Sequence, residues 1–253
     1  MYTEIVIGPY TLRTFSLALA LAIAAALGLA TLRRGWRFGD LVDVWLTGFA
    51  GGIVGARLFH VLLQWTYFSD NLGEALRLNA GGLDWHGAVF GGLVGLWIGS
   101  RWRKLPLRAL LDALTPALPL LALAGWIGCY AVACGYGAEV DTLANYSPIV
   151  ASEIRDIYGI LAPRYNTQIF GMGLALVLML STAVLFWRKW LYYRRFWLVL
   201  GLLSVGMLVI GFYRGDEVLS IDGVRGDQIL DGVIAGYSFI LAIKPFHHPV
   251  TLP

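Results

Sequence analysis

Apolar residues recur along this chain in seven long runs, at approximately 14–32, 41–65, 83–100, 109–132, 168–187, 196–213 and 228–243. Each is long enough to cross a hydrocarbon core of ~30 Å at a helical rise of ~1.5 Å per residue. The runs are continuous and lack the period-two alternation of barrel strands, so helices are the spanning structure they predict. Composition points the same way: of 253 residues, 58% are hydrophobic and 14% charged, whereas about a quarter of a soluble domain is charged. A soluble enzyme, a disordered chain and a nucleic-acid binder are excluded. The expected fold is an all-α integral membrane domain of seven transmembrane helices covering 1–253, its termini on opposite sides.

The basic residues set an orientation. Arg33, Arg34, Arg37, Arg101, Arg103, Lys104, Arg108, Arg188, Lys189, Arg194 and Arg195 lie in the odd connections, and Lys244 follows the last run. Arg13, Arg77, Arg155, Arg164, Arg214 and Arg225 lie in the N-terminal segment and the even connections, and Arg57 inside the second run. The positive-inside rule therefore places the N-terminus outside and the C-terminus in the cytoplasm. The largest outside segment, 133–167, is long enough for a small extracytoplasmic cap within the membrane domain. The Ala-rich first run resembles a secretory leader, but Glu4 and the absence of a basic cluster before it favour a retained span.

Ionisable groups inside spans are costly and are functional candidates by default. Arg57 and His60 share a helical face in GGIVGARLFHVL, and the direction of that span puts both in its outer half. His86, beside Asp84 in GGLDWHGAVFGG, sits near the outer end of the third span, with glycines that permit close backbone approach. Arg214 follows the sixth span in GFYRGDEV. These groups gather at one depth, near the outer headgroups. Plainer readings stand beside this: Arg214 snorkelling to the interface, and His60 as an interfacial histidine.

Gly51, Gly52, Gly55 and Ala56, and then Gly87, Gly91 and Gly95, have small-xxx-small spacing and predict close helix packing. Pro116 and Pro119 predict a kink in the fourth span. Cys129 and Cys134, five apart, would lie on different faces of a continuous helix. A disulfide requires the helix to end between them; otherwise they are small packing residues. No ligand spacing argues for a metal.

Five ordered segments, IGPYTLRTF, GARLFHVL, GGLDWHGAVFGG, RYNTQIF and FYRGDEV followed by GDQIL, make the chain resemble the bacterial prolipoprotein diacylglyceryl transferase family. The resemblance implies a multi-pass protein of the bacterial cytoplasmic (inner) membrane, its active site towards the outer leaflet. It implies transfer of a diacylglyceryl group from phosphatidylglycerol to the lipobox cysteine of a preprolipoprotein, with glycerol phosphate released, and no cofactor or nucleic-acid partner. By position, His86 and Arg214 match the family's catalytic histidine and arginine. Arg57, Gln168 and Gln228 match substrate-site residues, with His60 in place of an aromatic; Asp84 falls in the histidine's segment, and Trp126 is assigned to the substrate site at a position where the family has an arginine.

The implied chemistry suits these side chains. A thiol of ordinary pKa ~8.5 needs a base near neutrality, and a guanidinium fork stabilises charge developing on a phosphate. The chain departs from the family in one segment. Where GRxGNFxNGE is expected it has Gly125, Trp126, Ile127, Gly128, Cys129, Tyr130, Ala131, Val132, Ala133 and Cys134. Phe15 stands where a tyrosine is expected, and Tyr165-Asn166 where His-Pro is. A noncatalytic or repurposed relative that binds phospholipid or lipoprotein precursor is thus the alternative to an enzyme. A small-solute transporter fits less well, since no polar path leads to the cytoplasm.

Overall fold

The computed structural model describes residues 4–7, 10–34, 36–78 and 82–244. It is mostly helical: α1 (Thr14–Arg34), α2 (Phe38–Leu63), the short α3 (Trp65–Phe68), α4 (Trp85–Trp102), α5 (Leu107–Leu114), α6 (Ala117–Val132), α7 (Thr167–Trp187), α8 (Arg195–Gly211) and α9 (Gly226–Ile243). Among the described residues, four of these (α1, α2, α7, α9) are long and apolar enough to cross a membrane, or five if the bent pair α5 and α6 is one span. Of the remaining expected spans, α4 has 18 residues, including the basic Arg101, and α8 has 17. Large apolar side chains point outward, among them Val54, Leu58, Phe90, Leu180, Val233 and Tyr237. Exposed apolar side chains in this number are what a hydrocarbon environment covers.

The closest helix pairing is α2 against α4, and glycine is its cause. A Cβ on Gly55 would lie 2.9 Å from the Gly91 Cα and 3.1 Å from its nitrogen, and one on Gly91 would lie 2.9 Å from the Gly55 Cα. These are backbone atoms and cannot step aside, so only bare glycines allow the two helices this approach. The seam continues at one end, where Gly95 and Gly99 face Thr47 and Val44.

The fourth apolar run breaks rather than curves. Thr115 turns its hydroxyl back to the Asp112 carbonyl at 2.8 Å, Pro116 follows without an N–H, and α5 meets α6 at 46°. Pro116 stands at the break and Pro119 inside α6. α5 is central to the core: Leu110, Ala113 and Leu114 pack with Ala30, Leu41 and Val44 from α1 and α2, and Leu111 with Phe196 and Leu200 of α8. The break also buries Asp112, whose carboxylate accepts from Arg195 at 3.3 Å and from the Tyr193 N–H at 3.0 Å.

Two features correct the sequence reading. Cys129 and Cys134 form a disulfide and are not packing residues. α6 ends at Val132, Ala133 adopts a left-handed conformation (φ 59°), and the turn brings the Cys134 N–H within 3.0 Å of the Cys129 carbonyl. The fold is also not wholly α, since the pairs β1 (Glu4–Ile7) with β2 (Tyr10–Arg13), β3 (Ala151–Arg155) with β4 (Leu161–Tyr165) and β5 (Ser220–Ile221) with β6 (Val224–Arg225) form antiparallel hairpins. Two-stranded segments this short pair locally without contributing a sheet to the core.

The β3–β4 hairpin, in register Ala151↔Tyr165 to Arg155↔Leu161, is tied to the strand-like stretch around residue 138. Arg164 is buried there, donating to Glu139 at 2.7 Å and Asp156 at 3.2 Å. That stretch in turn pairs with the end of α8, through Ala138 N–H to the Tyr213 carbonyl and Gly215 N–H to the Tyr136 carbonyl. This is how Arg214 comes to be held in place.

Candidate active site

His86 lies in the first turn of α4 and is 2% exposed. Asp84 caps that helix, its side chain accepting from the Gly87 N–H at 3.0 Å, and the same carboxylate lies 3.2 Å from His86 Nδ1. The other ring nitrogen, Nε2, is 3.1 Å from Oδ1 of Asp231 on α9. An imidazole in this setting has a carboxylate at each nitrogen, and one of them arrives from a helix 145 positions away in the chain.

Asp231 and Asp227 are four apart and share one face of α9, about 6 Å along its axis. Asp227 carries the second half of the site. Its Oδ2 is 3.4 Å from Arg214 Nη1 and 3.0 Å from Arg225 Nη2. Arg214 also grips Asp216 with Nε (2.8 Å to Oδ1) and Nη2, and Arg225 reaches Asp216 at 3.4 Å. Burial alone would lower the affinity of Arg214 for its proton, but the hydrogen-bonded Asp216, with Asp227 and Asp231 behind it, pushes it up instead. The guanidinium therefore remains charged, within a cluster where two arginines face two carboxylates.

The other expected residues occupy distinct places. Arg57 is buried and directs its fork to three backbone carbonyls: Nε to Ala75 (2.7 Å), Nη2 to Glu74 (2.6 Å) and Nη1 to Gly82 (3.1 Å). His60 lies edge-on to Phe68, and a Cβ on Gly82, which has a positive φ of 72°, would strike its ring. Together these side chains hold the connection after α2 against the start of α4, where the Asp84 N–H also donates to the Ala56 carbonyl at 3.1 Å. Gln168, 1% exposed, donates to the Cys134 carbonyl at 3.1 Å, and its Oε1 finds no partner among the described residues. Gln228 donates to the Leu208 carbonyl at 3.2 Å. Trp126 is buried, and its indole occupies the space that a Cβ on Gly171 of α7 would need.

The structure thus brings His86 and Asp84 together and connects them to Arg214 through α9. Arg57, His60, Gln168, Gln228 and Trp126 instead make contacts to backbone carbonyls or to neighbouring helices. Sequence reasoning missed Asp231, Asp227, Arg225 and Asp216. For Asp231 the signal was present: an acidic residue inside the apolar run that forms α9 meets the rule already applied to Arg57 and His86.

Comparison with known proteins sorts the chain. The family model for prolipoprotein diacylglyceryl transferase matches residues 3–243. A relative from Mycobacterium leprae, named phosphatidylglycerol–prolipoprotein diacylglyceryl transferase, is 40% identical over 140 residues, which are 53% of this chain and 42% of that protein. A relative of the same name from Clostridium kluyveri is 28% identical over 94% of this chain and 94% of its own length, and one from Nocardia farcinica is 28% identical over 95% of this chain and 51% of its own. The match to the mycobacterial relative thus spans less than half of that protein, while the clostridial one is matched nearly end to end. With an apolar helical fold and a family match from residue 3 to residue 243, the chain belongs to the prolipoprotein diacylglyceryl transferase family of membrane proteins.

Proposed function

We propose that this chain transfers a diacylglyceryl group from phosphatidylglycerol to the lipobox cysteine thiol of a preprolipoprotein. The observation that carries this reading is the buried imidazole of His86, connected through one turn of α9 to the Arg214 guanidinium, in a chain matched to this family nearly end to end. Neutral and with Nε2 released from Asp231, His86 takes the thiol proton, and the sulfur's electron pair forms the new carbon–sulfur bond. The carbon–oxygen bond to phosphate breaks, and its electron pair leaves with the glycerol phosphate. Arg214 stabilises the negative charge that develops there, a task suited to a fork of fixed donors. To do so it exchanges part of its grip on Asp216 or Asp227 for the phosphate.

In this reading α1, α2, α4, the bent pair α5 and α6, α7, α8 and α9 are seven spans of a bacterial inner-membrane protein, with the N-terminus outside and the C-terminus in the cytoplasm. The site lies towards the outer leaflet, and 133–167 forms an extracytoplasmic cap. The basic residues of the odd connections support that orientation, and a disulfide in the connection after α6 suits an oxidising compartment. Arg57, His60, Gln168, Gln228, Asp84 and Trp126 belong to the substrate-binding site in this reading.

A second reading, a relative that binds phospholipid or precursor without transfer, is favoured by one observation: both arginines of the cluster already face carboxylates. The two are separated by incubating the purified chain with phosphatidylglycerol vesicles and a lipobox peptide, followed by mass spectrometry. The transferase reading expects the diacylglyceryl adduct on the peptide cysteine, and its loss in His86→Ala and in Arg214→Ala. Peptide left unmodified by the wild-type chain, beside an active relative as control, supports the binding reading.

A further inference from the structure

Arg225 enters the site on a short hairpin. β5 and β6 pair across Asp222 and Gly223, both at positive φ (49° and 80°), the conformation that an Asp-Gly turn supplies. The Gly226 N–H then donates to the Leu219 carbonyl at 2.7 Å, so the hairpin runs directly into α9 with Arg225 immediately before its first residue. Most donors of this guanidinium are spent on two acids. Nε and Nη2 grip Asp227 as a fork, at 3.1 Å and 3.0 Å. Nη2 also reaches Asp216 Oδ1 at 3.4 Å, and Nη1 donates to the Asp216 backbone carbonyl at 2.9 Å.

Arg214 shares the same two carboxylates unequally. Its Nε and Nη2 hold Asp216, whereas Nη1 makes no hydrogen bond among the described residues and meets Asp227 Oδ2 only as an ion pair at 3.4 Å. Asp227 is the partner of Arg225 by geometry: the fork closes on both of its oxygens, and the Gln228 N–H adds a further donor to Oδ1 at 2.9 Å. Resting on the transferase reading above, we infer that Arg225 is a positioning residue for the reaction. By holding Asp227 and part of Asp216, it leaves the Nη1 side of Arg214 to the phosphate of phosphatidylglycerol.

Charge leads to the same assignment. Two arginines and two carboxylates balance, so a phosphate that approaches Arg214 meets a neutral cluster and a guanidinium nitrogen with hydrogens to give. Without Arg225 the cluster carries one net negative charge, and Asp227 is left to compete with the phosphate for Nη1. Arg225 itself touches neither substrate, and none of its covalent bonds changes during transfer.

Three forms of the full-length chain separate this role from bracing of the hairpin: wild type, Arg225→Gln, and Arg225→Gln combined with Asp227→Asn. Each is assayed in detergent with phosphatidylglycerol and a lipobox peptide, well below the lowest of the three unfolding midpoints, so that turnover is read on folded chain. Arg225→Gln removes the cation and leaves Asp227 charged, while the double variant removes both charges. The inference expects Arg225→Gln to lower kcat/KM for phosphatidylglycerol about 10- to 100-fold, the factor carried by one charge-assisted hydrogen bond withheld from the reaction. KM for the peptide should stay nearly unchanged. The double variant should recover most of the loss, because a neutral amide competes for Nη1 far less than a carboxylate. If Arg225→Gln transfers lipid as fast as wild type, the inference is overturned and the transferase reading stands. If the double variant is as slow as Arg225→Gln, or KM for both substrates rises together, Arg225 only braces the hairpin; the inference is overturned and the transferase reading again stands. If wild type gives no adduct, the transferase reading fails and takes this inference with it.

Discussion

Gly55→Ala adds one methyl group at the α2–α4 seam, and its consequence follows from where that methyl must go. The new Cβ would lie 2.9 Å from the Gly91 Cα and 3.1 Å from its nitrogen, and closer still to the Gly87 carbonyl oxygen. Carbon–carbon contacts settle at about 3.5–4.0 Å, so the helices must part by several tenths of an ångström or more. No rotamer change relieves a clash with backbone. Forcing an extra methylene into a filled interior costs about 1–3 kcal/mol, while alanine in place of glycine returns up to about 1 kcal/mol of helix propensity. The net expectation is a loss of about 1–2 kcal/mol, which for a chain of this size lowers the unfolding midpoint by about 2–8 °C.

Gly28→Ala in α1 is the matched control, because nothing lies within 4 Å of its added Cβ. It should leave the midpoint unchanged or raise it slightly. The assay is thermal unfolding of each purified variant in the same detergent, followed by tryptophan fluorescence. Equal midpoints for Gly55→Ala and wild type, or equal losses for both variants, would refute the argument that backbone contact sets this seam.

Two further outcomes follow from other parts of the fold. Replacing Cys129 and Cys134 by serine opens a loop spanning five positions, and the loop-closure relation gives a loss of about 2 kcal/mol; a reductant should lower the wild-type midpoint by the same amount and leave the double variant unaffected. Asp112→Asn strips the carboxylate from Arg195, a side chain 1% exposed, and should cost about 3–5 kcal/mol as a stranded buried charge. Replacing both residues by apolar ones of similar size, Asp112→Leu with Arg195→Met, should restore much of that stability, and a double variant as unstable as Asp112→Asn would contradict the charge argument.

The helices themselves were legible because a hydrocarbon span leaves a mark in one dimension. The runs expected at 14–32, 168–187 and 228–243 match α1 (Thr14–Arg34), α7 (Thr167–Trp187) and α9 (Gly226–Ile243) to within a few residues. Glycine spacing announced the α2–α4 seam, and Pro116 announced the break before α6. Local chemistry was enough in each case. It was not enough for Cys129 and Cys134, since whether a helix continues for two more residues depends on how the following segment is anchored. Here the buried Thr167 hydroxyl holds the Gly135 carbonyl at 2.6 Å and Gln168 holds that of Cys134.

The candidate site divides in the same manner. His86, Asp84 and Arg214 could be named from the sequence because ionisable groups in or beside apolar runs are costly and rare. The partners of those groups could not. His86 meets an acid from α9, Arg57 spends its fork on the carbonyls of a nearby connection, and Arg214 is answered by Asp216 and Asp227. Hydropathy is a sum over neighbours in the chain and so determines which segments are helical. Electrostatic pairing acts over a few ångströms between segments far apart in that chain, and only the packing of α4 against α9 decides which carboxylate faces which nitrogen.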